Sequence, residues 1–145
     1  MGEFRDQSFN ARLGAMGDEA EQRFEQLYEN GFVRFGLNRP PVAVQMLPPM
    51  IRYTPDYLTS QGFVECQGVG RDRTLKLKID KGLALQRWHE MFALRLFVWD
   101  SKKQVSHLID WEPLWAALPS FPISTFTEGK PYWAVPIDRV TTDAP

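Results

Sequence analysis

Apolar residues recur at helical spacing at Ala20, Phe24, Leu27 and Tyr28, which predicts a helix running from Asp18 to about Asn30. Asp18 is the expected N-cap, Glu21 reaches back to it as in a capping box, and Asn30-Gly31 supplies a left-handed stop. Before Gly17 the pattern is ambiguous. Arg39-Pro40-Pro41 interrupts the chain, and Val42 to Leu47 reads as a short strand closed by Pro48-Pro49. A second extended piece is expected over Met50 to Tyr53, then a turn at Thr54-Pro55-Asp56 and a third strand over Phe63 to Gln67. Gly68 to Arg73 reads as a loop. Thr74 to Ile79 alternates Leu75, Leu77 and Ile79 with Thr74, Lys76 and Lys78, a strand with one basic face. Asp80 is placed to cap a helix from Lys81 to about Ala93, with Leu83, Leu85, Trp88, Met91 and Phe92 on its apolar side and Gly82 weakening its first turn. Leu94 to Trp99 and Val105 to Ile109 flank a turn and predict a hairpin of two well-buried strands, followed by a short helix from Glu112 to Leu118.

This order predicts an α/β fold, a central mixed β-sheet flanked by helices, over residues 1–118. Prolines recur from Pro119 onward, so 119–145 is expected to be an extended, Pro-rich extension that packs on the same domain or trails from it. The composition, 43% hydrophobic and 24% charged over 145 residues, is that of a globular domain and excludes global disorder. The single cysteine, Cys66, rules out an internal disulfide and fits a reducing compartment. No run approaches the length of a membrane helix, and the N-terminus lacks a basic start followed by an apolar stretch, so the expectation is a soluble, cytoplasmic protein with no membrane partner.

Net charge is only −1, which argues against a binder working through bulk positive charge. Its distribution is uneven. Met1 to Leu37 holds four basic against seven acidic residues, whereas Gly68 to Lys103 holds nine basic against four acidic, a local excess of +5 that could attract phosphate or simply form a solvated face. His89 and His107 share no ligand spacing with each other or with Cys66, which disfavours zinc, and no phosphate-binding Gly-x-x-x-x-Gly-Lys loop occurs. The informative constellation is Pro55-Asp56 followed by Glu65-Cys66-Gln67. In a strand Glu65 and Gln67 share a face while Cys66 points into the opposite layer. If the two extended pieces pair through a hairpin, Asp56 and Glu65 converge on the sheet's rim, and such hard oxygen ligands suit Mg²⁺ or Mn²⁺.

In these residues the sequence resembles the PD-(D/E)xK nucleases, which include restriction enzymes, recombination nucleases and Holliday-junction resolvases. The likeness covers roughly Gly17 to Trp111 and is greatest to small phage-encoded members, in which a Glu-x-Lys or Glu-x-Gln strand end leads into a Gly-rich, Arg-Asp-containing loop and a Lys-rich strand; here the stretch runs from Glu65 to Lys78. The resemblance implies a restriction-endonuclease-like core and a Mg²⁺-dependent DNA endonuclease acting by metal-activated water in phage DNA recombination or processing, with host cytoplasm as its location. Asp56 and Glu65 would ligate the metal with the Cys66 carbonyl as third ligand. Glu21 matches the acidic helix residue of the family, its other reading being a cap partner, and for Asp56 the other reading is a turn residue after proline. Gln67 stands where the family has lysine. It could hold a water through its amide, while Lys78, Lys76 or Lys81 could bring an ammonium into the same space, with Lys78 the leading catalytic candidate. Arg71, Arg73, Lys76 and Lys81 would contact phosphates of the DNA. A homodimer is expected if the substrate is a symmetric junction.

Two other readings remain. One is a catalytically silent nuclease-like module that binds DNA or a phage assembly partner, with Gln67 marking lost chemistry. The other is a structural accessory protein whose Pro-rich tail docks onto a partner. Trp88 reads as core, and the remaining tryptophans are too scattered in sequence to make a stacking groove.

Overall fold

The computed structural model describes residues 9–29, 31–37, 43 and 46–141. It is an α/β structure built on a five-stranded mixed sheet. The elements that form or cover this sheet are α1 (Phe9–Tyr28), β1 (Phe32–Arg34), α2 (Pro49–Arg52), β2 (Tyr57–Thr59), β3 (Gly62–Val69), β4 (Thr74–Lys78), α3 (Ile79–Met91), β5 (Leu94–Asp100), β6 (Val105–Asp110) and α4 (Trp111–Ala117). A hairpin of β7 (Ile123–Thr125) and β8 (Pro131–Pro136) follows. The large sheet has the order β1-β2-β3-β5-β6, with β3 parallel to β5 and the other pairs antiparallel. A second, three-stranded antiparallel sheet has the order β4-β8-β7.

The two faces of the large sheet are covered differently. On one, Ala20 and Phe24 of α1 pack on Tyr57, Val64, Cys66, Phe97 and Trp99. On the other, Phe63, Leu96 and Val98 meet Leu85 of α3, Trp111 and Leu114 of α4, and Leu75, Leu77 and Val135 of the second sheet. Helices therefore flank the sheet, as the element order predicts, and the Pro-rich segment contributes most of a sheet of its own.

Several local expectations are corrected. The first helix begins at Phe9, so Asp18 lies inside it and caps nothing at its start; the left-handed residue at its end is Glu29 (φ 49°), and Asn30 lies outside the described residues. Leu27 is 61% exposed: Ala20 and Phe24, one turn apart, carry the buried stripe of α1 with Tyr28 packed beside them, and Leu27 lies off it. Most of the strand expected over Val42 to Leu47 falls outside the described residues. Met50 to Arg52 is helical rather than extended, with Tyr53 as its C-cap, since Pro49 begins a helix without loss of a needed N–H. Asp80 sits in the first turn of α3, whose N-cap is Lys78. β6 is an edge strand and mostly exposed, not buried like β5. On α3, Leu83 and Met91 face solvent. Gly82 there is a packing requirement: a Cβ would come 2.7 Å from the Trp133 ring, so its absence lets α3 close on β8.

Arg73 ties the two sheets together. With φ 52°, it donates from Nε to the fully buried Asp100 at 2.8 Å and from both Nη atoms to Asp138 at 2.5 and 2.8 Å. Burial alone would raise the Asp100 pKa, but the Arg73 hydrogen bond and the Lys103 N–H outweigh it and hold it below its ordinary value; Arg73 does the same for Asp138. Carboxylates depressed in the folded state stabilise above their unfolded value, near about 4, and lose that contribution as pH falls through the folded value. Arg73→Gln is therefore expected to lower the urea midpoint at pH 7, and the gap from wild type should narrow below about pH 4. A gap of constant size down to pH 3 would contradict this account.

Candidate active site

Asp56 precedes β2, and Glu65 stands in β3 just past the last β2–β3 pair, Tyr57 with Val64. Beyond that point β3 continues alongside β5 to Val69, while its other edge is no longer paired with β2. Asp56 fills this gap: its N–H donates to Glu65 Oε1 at 3.2 Å, and its Oδ2 accepts from the Cys66 N–H at 2.9 Å. In an extended chain the N–H and C=O of one residue leave the strand on the same side, so the Cys66 carbonyl is directed to this edge too. The Cys66 side chain lies in the opposite layer among Phe24, Val64 and Phe97, where burial raises its thiol pKa. The loop after β1 holds Asp56 from behind: Phe35 and Gly36 N–H donate to its carbonyl at 2.9 and 3.1 Å. A Cβ on Gly36 would lie 2.7 Å from the Pro55 carbonyl oxygen.

Glu65 is only 6% exposed, a costly place for a carboxylate without a partner. Its partner is Lys81, on the first turn of α3, at 2.8 Å from Oε2. The same ammonium is 3.5 Å from Gln67 Oε1, while Gln67 Nε2 donates to the Lys76 carbonyl at 2.9 Å. Burial opposes the charge on Lys81, but the Glu65 carboxylate and then Asp56 outweigh it and hold its pKa above the ordinary value. For Asp56, burial and then repulsion from Glu65 push the pKa up to about 7, against the Cys66 N–H, Lys81 and Arg34.

Glu21 also reaches this place, from α1. Its carboxylate takes Arg34 Nη1 at 2.8 Å, and burial followed by the nearby Asp56 raises its pKa. Of its two sequence readings, helix cap and site residue, the structure removes the first, since α1 starts twelve residues earlier. Arg34 lies between the carboxylates, with Nη2 3.8 Å from Asp56 Oδ1, Nη1 donating to the Tyr57 hydroxyl at 3.2 Å, and its guanidinium over the Tyr57 ring. Sequence reasoning missed Arg34. Its signal was there: in Phe32-Val33-Arg34 the arginine shares the inward face with Phe32 while Val33 is exposed, and a cation on such a face needs an anion.

The remaining candidates are dispersed. Lys78, the leading lysine, does not reach Glu65: β4 turns it to the outer face of the second sheet, where it pairs with Glu128 at 3.3 Å, and the chain needs the first turn of α3 to bring a lysine, Lys81, back to the gap. Lys81 is accordingly an inward member of the site rather than a surface phosphate contact. Arg73 is held by Asp100 and Asp138 and so is not available to phosphate as expected. Lys76 pairs with Asp72 at 3.3 Å on the surface, and Arg71 is exposed in the turn before β4. Among the described residues no three His, Cys, Asp or Glu side chains are grouped to hold a metal by themselves. Also among them, no helix is long and apolar enough to cross a membrane. Compared with known proteins, this sequence matches no family model, and no curated protein matches it.

Proposed function

We propose that the protein is a metal-dependent DNA endonuclease of the PD-(D/E)xK type, hydrolysing phosphodiester bonds on a restriction-endonuclease-like core. The observation that carries this reading is the convergence of Asp56, Glu65 and the Lys81 ammonium where β2 parts from β3. An acidic helix precedes this gap, Pro55-Asp56 opens β2, Glu65-Cys66-Gln67 lies in β3, and a helix leads to the parallel strand β5. The donor chemistry fits Mg²⁺ or Mn²⁺, which Asp56, Glu65 and the Cys66 carbonyl would hold: hard oxygens are drawn together although burial and repulsion from Glu65 disfavour the charge on Asp56. Bound there, such an ion would polarise the phosphodiester and lower the pKa of a water.

The chain's own residues supply the rest. Lys81 provides the ammonium absent at Gln67, fixed by Glu65 and by the Gln67 amide oxygen, to hold the attacking water and offset charge developing on phosphate. Glu21 and Arg34 hold Asp56 from the α1 side. DNA is then the partner, and the cytoplasm the place of action. The test is cutting of labelled linear, single-stranded and four-way-junction DNA with Mg²⁺, Mn²⁺ or EDTA. Metal-dependent cutting is expected, reduced at least about a hundredfold by Glu65→Ala. Absence of cutting on every substrate would overturn the reading. A silent DNA-binding module is the second reading, favoured by the uncharged Gln67, whose amide is tied to the Lys76 carbonyl; it predicts salt-sensitive binding without turnover.

A further inference from the structure

The edge strand β6 has a margin that the candidate site does not use. Hydrogen bonds at the two ends of β5 show which way its main chain is turned: Phe63 N–H donates to the Ala93 carbonyl at 2.7 Å, and Ser101 N–H to the Val69 carbonyl at 3.2 Å. Odd-numbered residues of this stretch therefore turn their main-chain groups to β3, and even-numbered ones turn theirs to β6. Leu96, Val98 and Asp100 pair with Ile109, His107 and Val105, so the N–H and C=O of Ser106, Leu108 and Asp110 leave the sheet at its outer margin. Among the described residues no strand takes them up. The other margins are shorter or met from outside: β1 and β7 have three residues each, and Gln67 donates to the Lys76 carbonyl of β4. β6 has six residues and exposes Val105 (41%) and Leu108 (40%). Its residues 106–110 line a groove of about 720 Å³ together with Pro113, Leu114 and Ala117 of α4 and residues 139–141.

We infer that β6 pairs, antiparallel, with β6 of a second copy of this chain, joining the two large sheets into one. The two ends of the strand carry opposite charge. Lys102 and Lys103 precede it in a turn whose N–H groups both donate to Asp100 Oδ1 at 3.1 Å, and Asp110 and Glu112 stand at its far end. All four side chains are exposed, and among the described residues none makes an ion pair, Lys103 acting on Asp138 only at longer range. A two-fold axis through the sheet at His107 sets Ser106 against Leu108 of the other copy, so that their outward N–H and C=O groups bond each other, and sets Val105 against Ile109 on the opposite face. The same register brings Lys102 opposite Glu112 and Lys103 beside Asp110, at both ends of the pair. This charge pattern is complementary to itself only when the strands run antiparallel. Exposed ion pairs add little affinity, and their part is to fix the register and exclude the parallel arrangement. β6 has no proline and an unbroken register with β5, so neither device that blunts a sheet edge interrupts it. Nothing in this pairing depends on the chemistry of the candidate site.

Sedimentation velocity of the full chain over a concentration series, without DNA or metal, tests this. A contact through one strand is small, so wild type is expected to form a weak, concentration-dependent dimer. Ser106→Pro removes one outward N–H and no bond to β5, so it should weaken dimerisation at least about tenfold while keeping the wild-type melting temperature. Lys102→Glu with Lys103→Glu, and separately Asp110→Lys with Glu112→Lys, bring like charges together and should each weaken it at least about tenfold. Mixing these two charge variants should restore dimers, because each supplies the charge that the other's strand end needs. Thermal melting confirms that each variant is folded; should Ser106→Pro melt early, recovery in the mixture decides. Wild type that stays monomeric up to about 1 mM would overturn the interface. A dimer that a folded Ser106→Pro leaves unchanged would overturn it too, as would folded charge variants whose mixture stays monomeric.

Discussion

Replacing Lys81 by methionine is expected to lower the proposed metal-dependent DNA cutting by about a hundredfold to a thousandfold, the effect of removing a donor that meets charge developing in the transition state. The same substitution leaves Glu65, 6% exposed, without its 2.8 Å partner and next to Asp56. Uncompensated buried charge costs about 3–5 kcal/mol, so the variant should also melt earlier. Glu65→Gln combined with Lys81→Met removes both charges and is expected to recover most of the lost stability, since a neutral pair of similar volume leaves no buried ion. The double variant reads stability alone, because it also removes the proposed metal ligand Glu65; cutting by Lys81→Met measured well below its own melting temperature separates a chemical role for Lys81 from a merely structural one. Lys78→Met should leave cutting near the wild-type rate, because its ammonium lies on the outer face of the second sheet beside Glu128. Wild-type cutting rates in Lys81→Met would remove this lysine from the chemistry.

Phe24→Ala is expected to cost about 3–5 kcal/mol, read as a lower urea midpoint, and to lower Tm by about 10 °C or more. Phe24 is fully buried, stacked between Tyr28 at 4.3 Å and Tyr57 at 4.4 Å, with Phe32 and Phe97 presenting edges. Such ring pairs add to the area each ring removes from water. One turn before Phe24 stands Glu21, and the residue before Tyr57 is Asp56. Loosening this stack therefore loosens the two elements that carry carboxylates to the site. Phe24→Leu, which keeps most of the volume, should cost less than half as much. Equal losses for alanine and leucine would mean that ring stacking, not filled space, supports α1.

Alternation and helical spacing were enough to read β3, β4, β5, α3 and α4 in the chain, because each buries one face and exposes another or is buried throughout, and side-chain period records that directly. Glu65 and Gln67 on one face, with Cys66 in the other layer, followed from the same period. Where a boundary depends on a neighbour the pattern misled. Asp18-x-x-Glu21 has the composition of a helix start, yet α1 continues through it. Met50 to Tyr53 looks extended, yet it coils against α3, where Trp88 Nε1 donates to the Met50 carbonyl at 3.1 Å.

From the sequence alone, Asp56 and Glu65 meet at a sheet rim only if the piece ending at Tyr53 pairs with the Phe63 strand; that piece is helical, and it is β2, a strand the pattern did not reveal, whose pairing with β3 brings the two carboxylates together. Which cations would join them depended on contacts between residues distant in the chain. Lys76, Lys78 and Lys81 are equivalent in composition, but a strand turns successive side chains to opposite faces and a helix rotates them by about 100° each. The change from β4 to α3 between Lys78 and Lys81 therefore turns one lysine outward and the other inward. Arg34 reaches Glu21 and Asp56 only because β1 pairs with β2, and Phe126 reaches Tyr132 only because the Pro-rich segment forms a hairpin against β4. Charge neutralisation of buried carboxylates acts across space at a few ångströms, and no periodicity along a chain encodes which distant residue will provide it.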